Sequence, residues 1–224
     1  MSKKQKLKKE TKTKKGNIPQ KKAVAQVVLP VSTELEQKVQ VSPDEPPRLK
    51  KKYQEEIVPY LMKELQLKNI NQVPRLVKIV INCAVKEAVR NPKVLENVFQ
   101  EIKAIAGQCP VLTRAKRAVA AFGVRVGNAL GICVTLRRAR MYEFLDRFIH
   151  VVLPSVRDFH GLKLKSFDGK GNYSVGVQEQ GIFPEVNDEK IDQIRGMTIS
   201  IVTNAKNNEH GKALLTQFGM PFQK

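Results

Sequence analysis

The segments LVKIVIN (Leu76 to Asn82) and LGICVTLR (Leu130 to Arg137) alternate in character with a period of two. Successive side chains of a strand point to opposite faces of its sheet, so each segment predicts one buried and one open face. Val77, Ile79 and Ile81 are expected inward in the first, with Lys78, Val80 and Asn82 outward. In the second, Ile132, Val134 and Leu136 face the core, and Cys133, Thr135 and Arg137 face away from it. Half-buried strands of this kind belong to antiparallel sheets covered by helices on one side only.

The covering helices are legible too. Between Leu49 and Leu65, Ile57, Leu61 and Leu65 recur at helical spacing, with Pro59 marking a kink or the start of a second half. Asn91-Pro92 opens a helix carrying Leu95, Val98, Ile102 and Ile105, and Gly107 is placed to stop it. Met141, Leu145, Phe148 and Val152 predict another helix, expected to end before Pro154, and Glu209 to Phe218 a last one. Val111 to Arg114, the end of SFDGKGNYSVGV (Ser166 to Val177) and MTISIVT (Met197 to Thr203) read as further strands. The order is helix, strand, helix, strand, strand, helix, strand, strand, helix. It predicts an α+β fold: a mostly antiparallel four- to five-stranded sheet with helices packed on one face. Lys78, Asn82, Thr135 and Arg137 then share the opposite face. Half polar and half basic, it suits RNA better than plain solvation.

Between the second and third strands runs TRAKRAVAAFGVRVGNALG, Thr113 to Gly131, a long basic hairpin loop. No Asp or Glu occurs anywhere between Glu101 and Glu143, a span holding Lys103, Arg114, Lys116, Arg117, Arg125, Arg137, Arg138 and Arg140. A solvated surface normally interleaves both signs, because like charges repel. The whole chain has 40 Lys plus Arg against 21 Asp plus Glu, a net charge of +19, so the missing counter-charge is expected on a polyanion. Ala118 to Phe122 add an apolar patch able to stack on ribose or bases, and Gly123, Gly127 and Gly131 allow close approach and a mobile tip. Glycines interrupt any apolar stripe a membrane-surface helix would need. No helix-turn-helix, zinc-finger or basic-zipper pattern points to DNA.

Other classes find little support. No uninterrupted apolar window of about 18 residues exists, which excludes a helical membrane span, and the N-terminus lacks the apolar core of a secretory signal. Cys83, Cys109 and Cys133 are odd in number and widely spaced, so buried free thiols are expected rather than a disulfide framework or zinc site. His150, His160 and His210 are scattered, and the pairs Glu55-Glu56 and Asp188-Glu189 lie on polar segments. No catalytic residues, metal or cofactor are expected. FDGKGNYSVG lacks the phosphate-loop pattern and reads as a turn or a backbone contact to phosphate.

Residues 1 to 52 hold fifteen Lys and Arg against five acids, with no aromatic ring. A like-charge run this poor in apolar residues cannot offset chain entropy. Residues 1–47 are therefore expected as a basic, disordered or partner-ordered extension, and residues 48–224 as one α+β domain.

Several long motifs now fall in one order: NQVPRLVKIVIN, AGQCPVLTRAKRAVAAF, VTLRRARMYEFLDR, SFDGKGNYSVGVQEQ and RGMTISIVT, closing on FGMPF. From Arg48 to Lys224 the chain closely resembles the bacterial and plastid large-subunit ribosomal protein L-five family, which binds 5S ribosomal RNA. The resemblance implies a non-enzymatic constituent of the large subunit, seated on 5S rRNA in the central protuberance and touching 23S-type rRNA. Family positions that contact 5S rRNA match Asn82, Gln108 and Thr135, with Phe122 also implicated, and Lys78 and Arg137 would add charge beside them. The loop matching Arg114 to Gly127 reaches in the family toward the elbow of the peptidyl-site tRNA. Arg114, Lys116, Arg117 and Arg125 would then grip tRNA backbone, beside a protein of the small-subunit head and neighbouring large-subunit proteins. The stretch from LKKKYQEEIVPYL to DQIRGM is nearest to cyanobacterial and plastid members, implying a ribosome of the chloroplast stroma ahead of the bacterial cytoplasm.

Departures from the family pattern occur at NCAVKEA, where Ala84 and Lys86 replace glycines, and at Cys109 and Gly123, which replace lysines. The alternative from another class is a free-standing RNA chaperone or single-stranded RNA binder using the same sheet face.

Overall fold

A computed structural model describes residues 46–89, 91–186 and 193–223. The expected N-terminal extension, apart from Pro46 and Pro47, and the pair Asp188-Glu189 lie outside the described residues.

Five strands form one sheet in the order β2-β3-β1-β5-β4, every neighbouring pair antiparallel. They are β1 (Leu76–Ala84), β2 (Val111–Arg114), β3 (Ala129–Leu136), β4 (Tyr173–Val177) and β5 (Met197–Thr203). The helices are α1 (Arg48–Lys52), α2 (Val58–Glu64), α3 (Pro92–Ala106), α4 (Arg138–Arg147), α5 (Leu153–Ser155) and α6 (Asn208–Gln217). This is the expected α+β arrangement, with five strands. Ile79, Ile81, Ile132, Val134, Leu136, Ile199 and Ile201 are buried together on the inner face. Against them pack Leu95, Val98, Ile102 and Ile105 of α3 and Met141, Phe144 and Leu145 of α4.

Local chemistry sets the limits of α3. The Asn91 side chain accepts from the Lys93 amide at 3.2 Å, Pro92 occupies the first turn, and Gly107 closes the helix at φ 61°. A left-handed C-terminal residue is where glycine escapes the Cβ penalty. The first residues after the helix then feed β2.

Two differences from the sequence reading have physical causes. Val77 is outward and 38% exposed, because a register shift between Leu76 and Lys78 in the β1–β5 pairing brings Leu76 to the core instead. A bulge of this kind breaks the strict two-residue period. The second difference concerns the helix expected to end before Pro154, which continues to Ser155. It does so through a π-helical turn, Phe148–Val152, in which the Leu153 amide donates five residues back to the Phe148 carbonyl. The same device joins α1 to α2: Tyr53–Ile57 is π-helical, and the Val58 amide donates to the Tyr53 carbonyl. In both places proline stands two residues past the end of the turn, at Pro59 and Pro154. Proline has no amide to donate and its ring crowds the preceding turn. A widened turn lets the helix pass where a regular one would break.

Aromatic rings lock the helical layer. Phe144 stacks on Phe148 with centroids 6.1 Å apart and on Phe183 at 6.4 Å. Arg147 pairs with Glu185 and donates to the Ile105 carbonyl at 3.1 Å, tying α4 to the end of α3. Burial lowers the pKa of that guanidinium.

The turn ahead of β4 is self-contained. The Asp168 carboxylate accepts from the amides of Lys170 and Asn172 at 2.8 and 3.0 Å and from the Asn172 side chain at 2.6 Å. Gly171 donates to Asn208 at 3.1 Å, and a Cβ at Gly211 would lie 2.5 Å from the Gly171 carbonyl oxygen. These amides are spent inside the fold, so FDGKGNYSVG is a structural turn that seats α6. The Asn172 side-chain bond, then the Lys170 amide, hold the Asp168 pKa below its ordinary value. A carboxylate with a depressed folded pKa contributes stability above its unfolded pKa of about 3.9 and loses it as pH falls through the folded value. Stability against urea should therefore fall as pH drops below about 3.9, and less so in Asp168→Asn. Equal acid-side losses in both proteins would remove Asp168 as a contributor.

Candidate nucleic-acid interface

The outer face of the sheet is built from side chains at alternate positions of all five strands. Strand pairing sets Val111, Cys133, Asn82, Thr198 and Gly176 in one row. Thr135, Val80, Ser200 and Ser174 form the next. Asn82 and Thr198 are exposed, while Thr135 and Ser200 are half-buried. Asn82 and Thr135 thus share the open face of adjacent strands in diagonal positions.

Charge sits at the margins of this face. Neither row contains Asp, Glu, Lys, Arg or His. Lys78 stands one row farther along β1, opposite Val202 and half-buried. Arg137 lies just past the end of β3, in extended conformation at the N-terminus of α4, and is exposed. The expected half-basic sheet face is therefore a neutral platform with cations at one end. Its chemistry is hydroxyls, an amide and small apolar groups, a set that matches ribose and base edges better than bare phosphate.

Gln108 follows the αL glycine that ends α3. Its amide nitrogen donates to the Thr135 carbonyl at 3.4 Å, and its oxygen accepts from Arg140 at 3.4 Å. The structure brings Gln108 and Thr135 together, and adds Arg140, which sequence reasoning counted only as charge. Nearby Arg138 is one of three non-glycine residues with positive φ among the described residues, at 53°. The tight corner from β3 into α4 thereby leaves Arg137, Arg138 and Arg140 all exposed at the sheet margin.

Phe122 is elsewhere. It lies at the tip of the β2–β3 hairpin, 76% exposed, in a one-turn helix closed by Gly123 at φ 65°. The hairpin keeps its own ladder beyond the sheet: Ala115 donates to Asn128 at 2.8 Å, and Val119 and Val124 exchange bonds of 2.9 and 3.1 Å. Arg114 is pinned to the Gly127 carbonyl at 3.1 Å. Lys116, Arg117 and Arg125 are exposed, and among the described residues none of the three has an ion-pair partner. Phe122 thus groups by position with the loop cations, not with Asn82, Gln108 and Thr135. The glycines differ in purpose as well. Gly123 and Gly127 have positive φ, whereas Gly131 is required by packing, since a Cβ there would meet the Cys83 carbonyl at 2.7 Å.

Of the three thiols expected to be buried, only Cys83 is, with its Sγ donating to the Gly196 carbonyl at 3.4 Å and its pKa raised by burial. Cys133 lies half-exposed on the outer face and Cys109 is exposed beside Gln108. The period-two pattern had already placed Cys133 outward. Behind the face, Arg195 bonds Glu87 at 3.2 Å and the buried Gln180 bonds the Gln193 carbonyl at 2.9 Å, fixing the margin where β5 begins.

Comparison with known proteins finds relatives along the described domain. Residues 69–125 match the family model described as ribosomal protein L5, and residues 129–222 match the model of the C-terminus of the same ribosomal family. The chain is 59% identical over 177 residues to the large ribosomal subunit protein uL5 of Synechococcus sp. (strain JA-2-3B'a(2-13)), covering 79% of this chain and 98% of that relative. It is 57% identical over 176 residues to the protein of the same name from Geotalea daltonii, with 79% and 98% covered. For Trichodesmium erythraeum the identity is 56% over 175 residues, with 78% and 97% covered.

Proposed function

The chain belongs to the ribosomal protein L5 family, and from that premise we propose that its outer sheet face binds 5S rRNA within the large ribosomal subunit. It is a structural, non-enzymatic constituent of the large ribosomal subunit. The observation that carries the finer reading is a neutral, hydroxyl-lined sheet face adjoining a hairpin whose cations lack acidic partners among the described residues. Asn82, Thr135 and Gln108 supply amides and a hydroxyl for riboses and base edges, while Lys78 and Arg137 meet phosphates at the margin. Arg140 joins them by holding Gln108 in place.

The hairpin serves a second RNA, the peptidyl-site tRNA. Arg114, Lys116, Arg117 and Arg125 grip its backbone near the elbow, and Phe122 offers an exposed ring at the tip. Surrounding surfaces meet 23S-type rRNA, neighbouring large-subunit proteins and a protein of the small-subunit head. A few phosphate contacts from a protruding arm suit a ligand that must leave again. The ribosome in question is proposed to be that of a plastid, on the strength of the cyanobacterial relatives.

Removal of 5S rRNA from purified large subunits should release this chain. Equal affinity of the purified protein for 5S rRNA and for arbitrary single strands would favour the RNA-chaperone alternative and overturn the ribosomal seat. For the arm, Arg125→Ala should leave 5S rRNA incorporation intact and weaken tRNA retention by about 1 kcal/mol, or about fivefold. A defect in 5S rRNA incorporation with normal tRNA retention would reassign the hairpin.

A further inference from the structure

Two of the three thiols share one corner of the sheet. Val111 of β2 stands opposite Cys133 of β3. Cys109 is two residues before Val111, and Cys109, Pro110 and Val111 are exposed, buried and exposed in turn. That alternation keeps Cys109 on the side of Val111, diagonal to Cys133. The Gln108 side chain, bonded to the Thr135 carbonyl at 3.4 Å, holds the stretch before β2 against β3.

The surroundings of these two thiols differ from those of the third. Cys109 is exposed and Cys133 half-exposed, whereas Cys83 is buried with its Sγ donating to the Gly196 carbonyl. Cys109 and Cys133 both lie in the span from Ile102 to Tyr142, which contains no Asp or Glu. Arg140 reaches Gln108, the neighbour of Cys109, at 3.4 Å. Partly exposed, electropositive surroundings are where reactive thiols are found.

We propose that Cys109 and Cys133 are a redox pair that closes into a disulfide in the RNA-free chain, with a hydroperoxide as oxidant. The Cys109 sulfur attacks the peroxide, the O–O bond breaks, and water or an alcohol leaves as Cys109 becomes a sulfenic acid. The Cys133 sulfur then attacks the Cys109 sulfur. The S–O bond breaks, the S–S bond forms, and the hydroxyl leaves as water with the Cys133 proton. The two thiols together lose two electrons, and the peroxide gains them.

Diagonal neighbours across an antiparallel pair stand about 7–8 Å apart, and a disulfide needs Cα atoms within about 7 Å, so closure draws Cys109 toward β3. Cys109 precedes the paired residues of β2, so this shift leaves the ladder intact. It carries Gln108 along and loosens its two bonds of 3.4 Å, to Thr135 and Arg140. The effect on binding rests on the reading of Gln108 and Thr135 as 5S rRNA contacts. The oxidised chain binds that RNA poorly, and the RNA, once seated, covers both thiols.

The test treats the reduced full-length chain with hydrogen peroxide, alone and with transcribed 5S rRNA bound, and reads free thiols and intact mass. Alone, the chain should lose two of its three thiols and the mass of two hydrogens. Proteolysis should then give one cross-linked species holding Cys109 and Cys133, opened again by dithiothreitol. Cys109→Ser and Cys133→Ser should each prevent it, and bound 5S rRNA should slow it. The oxidised chain should bind 5S rRNA at least about tenfold more weakly than the reduced chain. Persistence of both thiols, a cross-link through Cys83, or disulfides only between chains would overturn the pair. A cross-link within the chain that leaves binding unchanged, with Asn82→Ala impaired, would overturn its coupling to RNA. Parent-like binding by both Asn82→Ala and Thr135→Ala would instead overturn the outer-face reading, while the cross-link itself would stand.

Discussion

Asn82→Ala should weaken binding to 5S rRNA by about 1–3 kcal/mol, a factor of roughly 5 to 150, without a matching loss of stability, if the proposed sheet-face seat holds. Asn82 stands in the middle strand of the sheet, exposed on its outer face between Cys133 and Thr198. Its amide offers two donors and an acceptor to a partner. Alanine removes these and leaves polar groups of the RNA desolvated without replacement, which is why the cost exceeds that of an ordinary hydrogen bond. The side chain takes no part in the core, so thermal unfolding should hardly move. Filter binding with matched melting curves separates the two effects. Thr135→Ala, one strand over, should act in the same direction. Unchanged affinity in both variants would remove the sheet face as the 5S rRNA seat.

The largest effect on stability is expected at Phe148. Its ring is fully buried, stacked on Phe144, which stacks in turn on Phe183. Phe148→Ala should cost about 3–5 kcal/mol, from lost transfer free energy and the cavity left behind. The surroundings have little freedom to collapse into that space. Phe148 begins the π-helical turn ahead of Pro154, and the adjacent Arg147 is held by Glu185 and the Ile105 carbonyl. Denaturant titration reads the loss directly. Because Phe148 lies on the far side of the sheet from the outer rows, molecules that remain folded should bind 5S rRNA as the parent does. A loss below about 1 kcal/mol would mean that the stack relaxes freely, contrary to the packing described.

Much of this architecture was legible because its cause was local. Asn91, Pro92 and Gly107 each act on their own few residues of backbone, so both ends of α3 could be marked from the sequence. The alternation of Ile132, Val134 and Leu136 needed only a covered face to be correct. Val77 failed because its orientation depends on a bulge between two strands more than a hundred residues apart. The passage through Pro154 failed for another reason. A π-helical turn has no composition of its own, and a proline normally signals a stop. Asn82 and Thr135 could be placed on one face by period alone. The grouping of Phe122 with the loop cations could not, since a hairpin tip has no period to read.

The separation of a neutral sheet from a cationic arm has a consequence for how the two proposed contacts respond to ionic strength. Cations that replace condensed counterions on RNA lose their advantage steeply as salt concentration rises. Hydroxyls and amides packed on ribose displace few counterions and lose little. Potassium and magnesium levels would therefore tune the arm's grip on its departing ligand while leaving the sheet's hold nearly constant. On this proposal one small chain would be anchored at one end and adjustable at the other, because Lys116, Arg117 and Arg125 lie off the rows of Asn82 and Thr135.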